Sequence, residues 1–195
     1  MVNKIMRHKI ILASGSPRRR ELLAGLGVDF EVRLLPGIDE TVPSGLSARA
    51  TARAIAQKKA EAYRPTMSEG ELVITADTIV WLDGQVLGKP RDEAEACHML
   101  QMLRGRTHQV VTGVTLQTCD KQHTFDCVSD VTFADITDRE IEYYVKKYKP
   151  LDKAGAYGIQ EWIGYVGVER IEGSYFNVMG LPVQRLYQAL KTFEI

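Results

Sequence analysis

A short apolar run, Ile10-Ile11-Leu12-Ala13, feeds into Ser14-Gly15-Ser16-Pro17-Arg18-Arg19-Arg20 and then Glu21-Leu22-Leu23-Ala24-Gly25-Leu26-Gly27. The order reads as strand, tight loop, helix over 17–26. Ser16 suits the N-cap, because its hydroxyl accepts a free amide proton; Pro17 suits the first turn, because its missing N–H would have no partner there. Gly27 suits the stop. The charge is out of place. Three arginines crowd the turn where the helix dipole is already positive, each at a cost of about 0.3–1 kcal/mol. Glu21 offsets part of this. Two readings stand: a solvated basic helix start, or a polyanion site built from hydroxyls, amides and arginine forks. The strand-loop-helix setting favours the second.

Such an anion site has to be local. The 195 residues carry 25 Lys+Arg against 25 Asp+Glu, so no global field draws nucleic acid or a membrane surface. With 45% hydrophobic and 26% charged residues, the expectation is one globular domain over 1–195, in two lobes around a central cleft. The polar start, 1–9, and the brevity of the run after it fit neither a signal peptide nor a membrane span, which implies the cytoplasm. Cys97, Cys119 and Cys127 have no zinc-site spacing. If 120–123 form a hairpin loop, Cys119 lies opposite Thr124 and Cys127 opposite Leu116, which disfavours a cross-strand disulfide. His8, His98, His108 and His123 are scattered and read as surface or structural residues.

Hydrophobic periodicity predicts strands over 10–13, 30–34, 72–82, 85–87, 108–118, 124–133 and 163–171. It predicts helices over 17–26, 47–63, 92–103 and 137–147, and a last one starting at Leu181-Pro182. Asp83-Gly84 signals a hairpin turn. Asp92 suits an N-cap with Gly105 as stop, Pro65 ends the alanine-rich helix, and Thr137 with Glu140 spells a capping box. The glycines in 154–160 exclude a helix there. Strands interleave with helices, which predicts an α/β fold with a mixed twisted sheet flanked by helices.

Several polar residues look placed. Asp77 interrupts the apolar strand Val73-Ile74-Thr75-Ala76-Asp77-Thr78-Ile79-Val80. A buried carboxylate costs several kcal/mol unless it is paired, protonated or metal-bound. It is a buried structural salt bridge, or a strand end falls at Asp77, or it is a general base or metal ligand at a cleft. Lys59 shares a helical stripe with Ala48, Ala52, Ile55 and Ala62, although a lysine can snorkel out of such a face. Lys58 lies off the stripe and reads as solvated. Lys89, in Leu87-Gly88-Lys89-Pro90, is a phosphate contact or a surface lysine. Its flanks are one residue short of a P-loop and lack the following Ser or Thr. Glu40, after a turn beside Asp39, and Gln160, closing the glycine-rich run, are weak signals alone.

Together these segments resemble the Maf family of nucleoside triphosphate pyrophosphatases. The resemblance rests on residues 13–19, Gly37-Ile38-Asp39-Glu40, Ala56-Gln57-Lys58-Lys59-Ala60, Ala76-Asp77-Thr78 and Gly88-Lys89-Pro90-Arg91-Asp92. It continues through Thr107-His108-Gln109-Val110 with Thr112-Gly113, Asp152 to Gln160, Gly173-Ser174-Tyr175 and Gly180-Leu181-Pro182. It runs from about residue 9 to the C-terminus. Each motif is short; their order and spacing are specific.

The resemblance implies a Maf/ITPase-like fold and hydrolysis of a nucleoside triphosphate between its α and β phosphates, as a housecleaning activity with Mg²⁺ or Mn²⁺. By the resemblance Asp77 accepts the proton of the attacking water, and Glu40, Lys59 and Lys89 complete the charged cluster. Asp77 and Glu40 supply hard oxygens for the metal. Ser14, Ser16, Arg18 and Arg19 form the substrate loop. Arg18, Thr78 and Gln160 resemble the trio of the dTTP/UTP branch. A glutamine amide offers both an acceptor and a donor to a uracil or thymine edge, whereas a glutamate only accepts. The C5 methyl is worth about 1–3 kcal/mol in an apolar pocket, so tolerance of both bases is expected. Two rivals are a pyrophosphatase for 7-methyl-GTP or another modified nucleotide, and a nucleotide-binding cell-division regulator with little turnover. The implied partner is the nucleotide rather than nucleic acid or membrane, and the resemblance allows a homodimer.

Overall fold

Strand β1 (Lys9–Leu12) lies between two parallel neighbours, β2 (Phe30–Val32) and β3 (Glu71–Leu82): Ile10 pairs with Phe30 on one side and with Leu72 on the other. The computed structural model describes residues 8–43 and 45–193. Helix α1 (Pro17–Ala24) connects β1 to β2, and α2 (Ala48–Tyr63) connects β2 to β3. A parallel pair needs such crossovers. β4 (Gln85–Leu87) folds back on β3 through Asp83-Gly84, with Leu82 opposite Gln85.

The remaining elements are α3 (Glu93–Leu103), β5 (Thr107–Gln117), β6 (Gln122–Phe133), α4 (Asp138–Tyr148), α5 (Trp162–Val166), β7 (Val168–Glu172), α6 (Tyr175–Met179) and α7 (Val183–Lys191). They complete a mixed seven-stranded open sheet of order β2-β1-β3-β5-β6-β7, with β4 on β3. No helix among the described residues is long and apolar enough to cross a membrane.

The chain divides into two compact units, residues 1–77, 112–127 and 180–195 in the first and 78–111 and 128–179 in the second. In the first, Ile11, Tyr63 and Val73 form a small core with Ala13, Leu35, Ile38 and Met67. Arg33 locks the end of β2 to the start of β3 through a two-pronged bond to Glu71, with Nη1–Oε2 2.9 Å and Nη2–Oε1 2.6 Å. In the second unit, Leu100, Leu103, Phe133, Ile141 and Ile163 sit in a larger core, and α3 packs on α4. Each such fully buried side chain contributes about 1.5–3 kcal/mol over leaving it in water.

Local signals act as expected at most helix ends. Ser16, Ser47, Asp92 and Thr137 cap α1, α2, α3 and α4, and the Thr137–Glu140 capping box is complete. Three expectations shift. The strand expected over 163–171 is a helix followed by a strand: α5, then β7 from Val168. A Cβ at Gly164 would stand 1.7 Å from the Ile159 carbonyl, and Gly167 N–H closes the helix on Ile163 O at 2.8 Å. The apolar residues Trp162, Ile163, Tyr165 and Val166 fit either period, and the glycines decide. The turn between β5 and β6 falls at 118–121, where Thr118 N–H donates to Lys121 O at 2.8 Å, so Cys119 lies in the turn; all three cysteines are free thiols. α6 carried no expectation.

The third shift concerns α2. Its buried track is Ala48, Ala52, Ala56, Ala60 and Tyr63, with Ile55, Lys59 and Ala62 along its border. The small side chains let a strand come close. A Cβ at Gly113 of β5 would stand 2.2 Å from the Ala52 carbonyl oxygen, so only glycine fits there. Thr75 Oγ1 of β3 donates to Ala56 O at 2.7 Å, and Gln117 Nε2 of β5 to Ala60 O at 3.0 Å.

Candidate active site

Asp77 sits on β3 two residues beyond Thr75. Side chains two apart on a strand share a face, so Asp77 faces α2 as Thr75 does. It meets Lys59, three residues along the helix from the Ala56 that Thr75 grips. Lys59 Nζ donates to Asp77 Oδ1 at 2.7 Å and stands 3.2 Å from Glu40 Oε1. The Lys59 and Asp77 side chains are 14% and 15% exposed, and Glu40 is 56% exposed. One ammonium therefore joins a sheltered carboxylate to an open one. β3 continues through Asp77 to Leu82, so the acid does not mark a strand end.

The neighbouring pair repeats the arrangement. Lys58 Nζ donates to Asp39 Oδ2 at 2.7 Å and to the Thr41 carbonyl. Consecutive lysines hold consecutive acids, so Lys58 is a tether for the Glu40 loop rather than a merely solvated residue. Lys58 and then Thr41, as hydrogen-bond donors, hold the Asp39 carboxyl well below the ordinary range. The sequence reading missed this pairing; two adjacent lysines and two adjacent acids are the one pattern there that could have suggested it.

The loop after β1 adds the arginine. Arg19 Nε donates to Gly180 O and Nη1 to Ala76 O, each at 2.8 Å, and Nη1 also reaches Ser14 Oγ at 3.4 Å. Ala76 precedes Asp77, so Arg19 braces the backbone that carries the acid. Removal from water pulls the Arg19 pKa down; Asp77 opposes this, Arg18 adds to it and Glu40 opposes it. That balance puts Arg18, Glu40 and Asp77 close enough to Arg19 for their charges to act on it. Ser14 is buried and accepts from Ser16 N–H at 3.3 Å, while Ser16 Oγ caps α1. Ser14, Ser16, Arg18, Arg19, Glu40, Lys59 and Asp77 all belong to the first unit.

Thr78, Lys89 and Gln160 belong to the second unit. Thr78 follows Asp77 on β3, and Lys89 is exposed in the loop after β4. The preceding residue, Gly88, accepts from Gly155 N–H at 3.0 Å, which ties the Lys89 loop to the glycine-rich run. Gln160 ends that run, and its Oε1 is buried without a hydrogen-bond partner among the described residues. Leaving an acceptor so placed costs about 1–3 kcal/mol.

No group of three His, Cys, Asp or Glu side chains able to hold a metal occurs among the described residues. Asp77 and Glu40, linked through Lys59, form a two-carboxylate set of hard oxygens. That donor set fits Mg²⁺ or Mn²⁺, because magnesium is commonly held by one or two carboxylates together with substrate phosphates.

A family model described as Maf-like protein matches residues 9–193. The chain belongs to the Maf family. Among its curated relatives, a Phocaeicola vulgatus protein is 61% identical over 191 residues, covering 98% of this chain and 99% of the relative. A Bacteroides thetaiotaomicron protein is 56% identical over the same coverage. Both relatives are named dTTP/UTP pyrophosphatase. Among solved structures, the Staphylococcus aureus Ham1 protein is similar with a TM-score of 0.52 at 19% identity, covering 96% of this chain and 100% of that one, which shows a shared fold. The Maf match spans every residue assigned to the site.

Proposed function

We propose that this chain hydrolyses dTTP and UTP to the monophosphate and pyrophosphate. The observation that carries the reading is the Asp77–Lys59–Glu40 cluster: a sheltered carboxylate held through one oxygen by an ammonium that also reaches a second acid. The names of relatives matching the chain from end to end agree with it.

Lys59 engages Asp77 Oδ1, and in this reading Oδ2 takes the proton of a water. The water oxygen forms a bond to the α-phosphorus, the bond from that phosphorus to the α–β bridging oxygen breaks, and pyrophosphate leaves. Phosphoryl transfer asks little covalent work of a protein, so positioning and charge balance dominate. A divalent cation, held by Asp77 and Glu40 together with the phosphates, would supply charge neutralisation. Arg18 and Lys89 are assigned to phosphate oxygens, with Ser14 and the capped start of α1. Arg19, whose donors brace Ala76 and Gly180, contributes its field and holds Asp77 in place.

Gln160 and Thr78 are assigned to the base. The unpartnered Oε1 of Gln160 is an acceptor matched to the N3–H of uracil or thymine, with its amide N–H₂ matched to a flanking carbonyl.

The test is a substrate panel with purified protein in Mg²⁺ and in Mn²⁺: dTTP, UTP, CTP, GTP and 7-methyl-GTP. We expect UMP or dTMP with pyrophosphate, and preference for the two uracil-type bases. Release of UDP and phosphate, or a preference for 7-methyl-GTP, refutes the assignment. Tight UTP binding without turnover favours a regulator instead.

A further inference from the structure

Residues 153–161 form a loop closed on itself. Lys153 precedes a 3₁₀ turn at Ala154–Ala156 and Glu161 precedes α5, and Lys153 Nζ stands 3.2 Å from Glu161 Oε1. The two side chains are 9% and 19% exposed. The Tyr144 hydroxyl donates to the other carboxylate oxygen, Glu161 Oε2. The same hydroxyl oxygen accepts from Gly158 N–H at 3.0 Å, in the middle of the loop. Tyr144 is fully buried on α4. Burial, reinforced by the Glu161 carboxylate, pushes its phenol pKa upward, so it stays a donor at neutral pH.

Fit is tight around this junction. A Cβ at Gly158 would stand 2.9 Å from Glu161 Cδ and 3.1 Å from Lys153 Cε. Gly155 holds φ +66°, which favours glycine, and its N–H reaches Gly88 O beside Lys89. Gln160 is the residue immediately before Glu161.

We propose that Tyr144, Glu161 and Lys153 are positioning residues that aim Gln160 at the base edge, and thereby set the preference for UTP over CTP. This rests on the reading of Gln160 given above. An amide that chooses between pyrimidine edges has to be held still. A segment of sequence Ala-Gly-Ala-Tyr-Gly-Ile supplies little stiffness of its own. The polar junction supplies it from a rigid helix. A sheltered ion pair is a poor way to gain stability alone, because desolvation offsets most of the attraction. A fully satisfied polar network does fix one geometry.

Kinetics on variants of the whole chain test this. Tyr144→Phe keeps the ring and loses both hydroxyl bonds. We expect the KM for UTP to rise about tenfold, the size of one lost hydrogen bond, with kcat within about twofold and the UTP-to-CTP ratio of kcat/KM down by a similar factor. Glu161→Gln keeps an oxygen for Tyr144 and loses the charge facing Lys153, so a smaller fall in the ratio is expected. It also serves if the Tyr144 variant fails to fold. Wild-type protein that releases no UMP and pyrophosphate overturns the site reading and this proposal together. Wild-type turnover, combined with folded variants that lose UTP and CTP activity equally or lose only melting temperature, overturns the positioning role alone.

Discussion

Lys59 Nζ lies 2.7 Å from Asp77 Oδ1 and 3.2 Å from Glu40 Oε1, so one cation is shared between two carboxylates of unequal shelter. Asp77→Asn keeps the shape and an accepting oxygen and removes the base. Turnover of UTP is expected to fall by about 10²–10³ or more, the scale of losing a preorganised charged group. The melting curve should stay close to wild type. Full activity in the folded variant, measured as pyrophosphate release, removes Asp77 from the reaction.

Lys58 tethers the segment that carries Glu40 through Asp39 and the Thr41 carbonyl. Lys58→Ala should leave the melting temperature unchanged, because the pair is exposed. The apparent affinity for Mg²⁺, read from a metal titration of activity, should fall several-fold as Glu40 loses its anchor. An unchanged metal titration shows that the Glu40 loop holds its place without Lys58.

Two buried titrations separate in pH. Glu71 is held down at about 2, chiefly by the Arg33 hydrogen bonds against an opposing burial effect. A depressed carboxyl adds stability above its unfolded pKa near 4.5 and loses it as the pH falls from there to about 2. Glu71→Gln should therefore cost about 2 kcal/mol at pH 7, and the difference should vanish near pH 2. His108 is buried against Tyr157, Nε2–Oη 2.7 Å, and burial lowers it from 6.5 to about 4. The unfolded chain binds the proton more tightly there, so stability falls as the pH drops from 6.5 towards 4. His108→Phe should flatten that window and leave the Glu71 window intact. Denaturant melts across pH check both. A wild-type stability constant between pH 6.5 and 4 contradicts the buried histidine.

Gly113→Ala places a methyl 2.2 Å from the Ala52 carbonyl oxygen, a backbone atom that cannot swing aside. Overpacking of this kind costs about 1–3 kcal/mol or more. Since α2 carries Lys59, kcat is expected to fall along with the melting temperature. A stable variant with wild-type kcat shows that the helix shifts without disturbing the lysine.

Capping residues and turns were readable because their signals are local. Ser16, Ser47, Asp92 and Thr137 each lie within three residues of the amide they cap. Asp77 was readable because a carboxylate in an apolar strand demands a partner, and Lys59 because it lies beside a small-residue face. The Lys58–Asp39 tether, the brace from Arg19 to Ala76, and the junction of Tyr144, Gly158, Glu161 and Lys153 were not. Each joins residues whose types are unremarkable alone, across separations that only the folded chain closes. The α5–β7 segment was misassigned because the steric demand on Gly164 comes from a backbone carbonyl five residues away.

The absent side chain at position 113 has an effect beyond packing. With no methyl as spacer, the strand backbone comes so near the helix that an added carbon would overlap the Ala52 carbonyl, and the Thr75 hydroxyl fastens the helix to the next strand. The reach of Lys59 to its acid is thus gauged by hard-core repulsion, which varies little with salt or temperature, while the attraction itself varies with both.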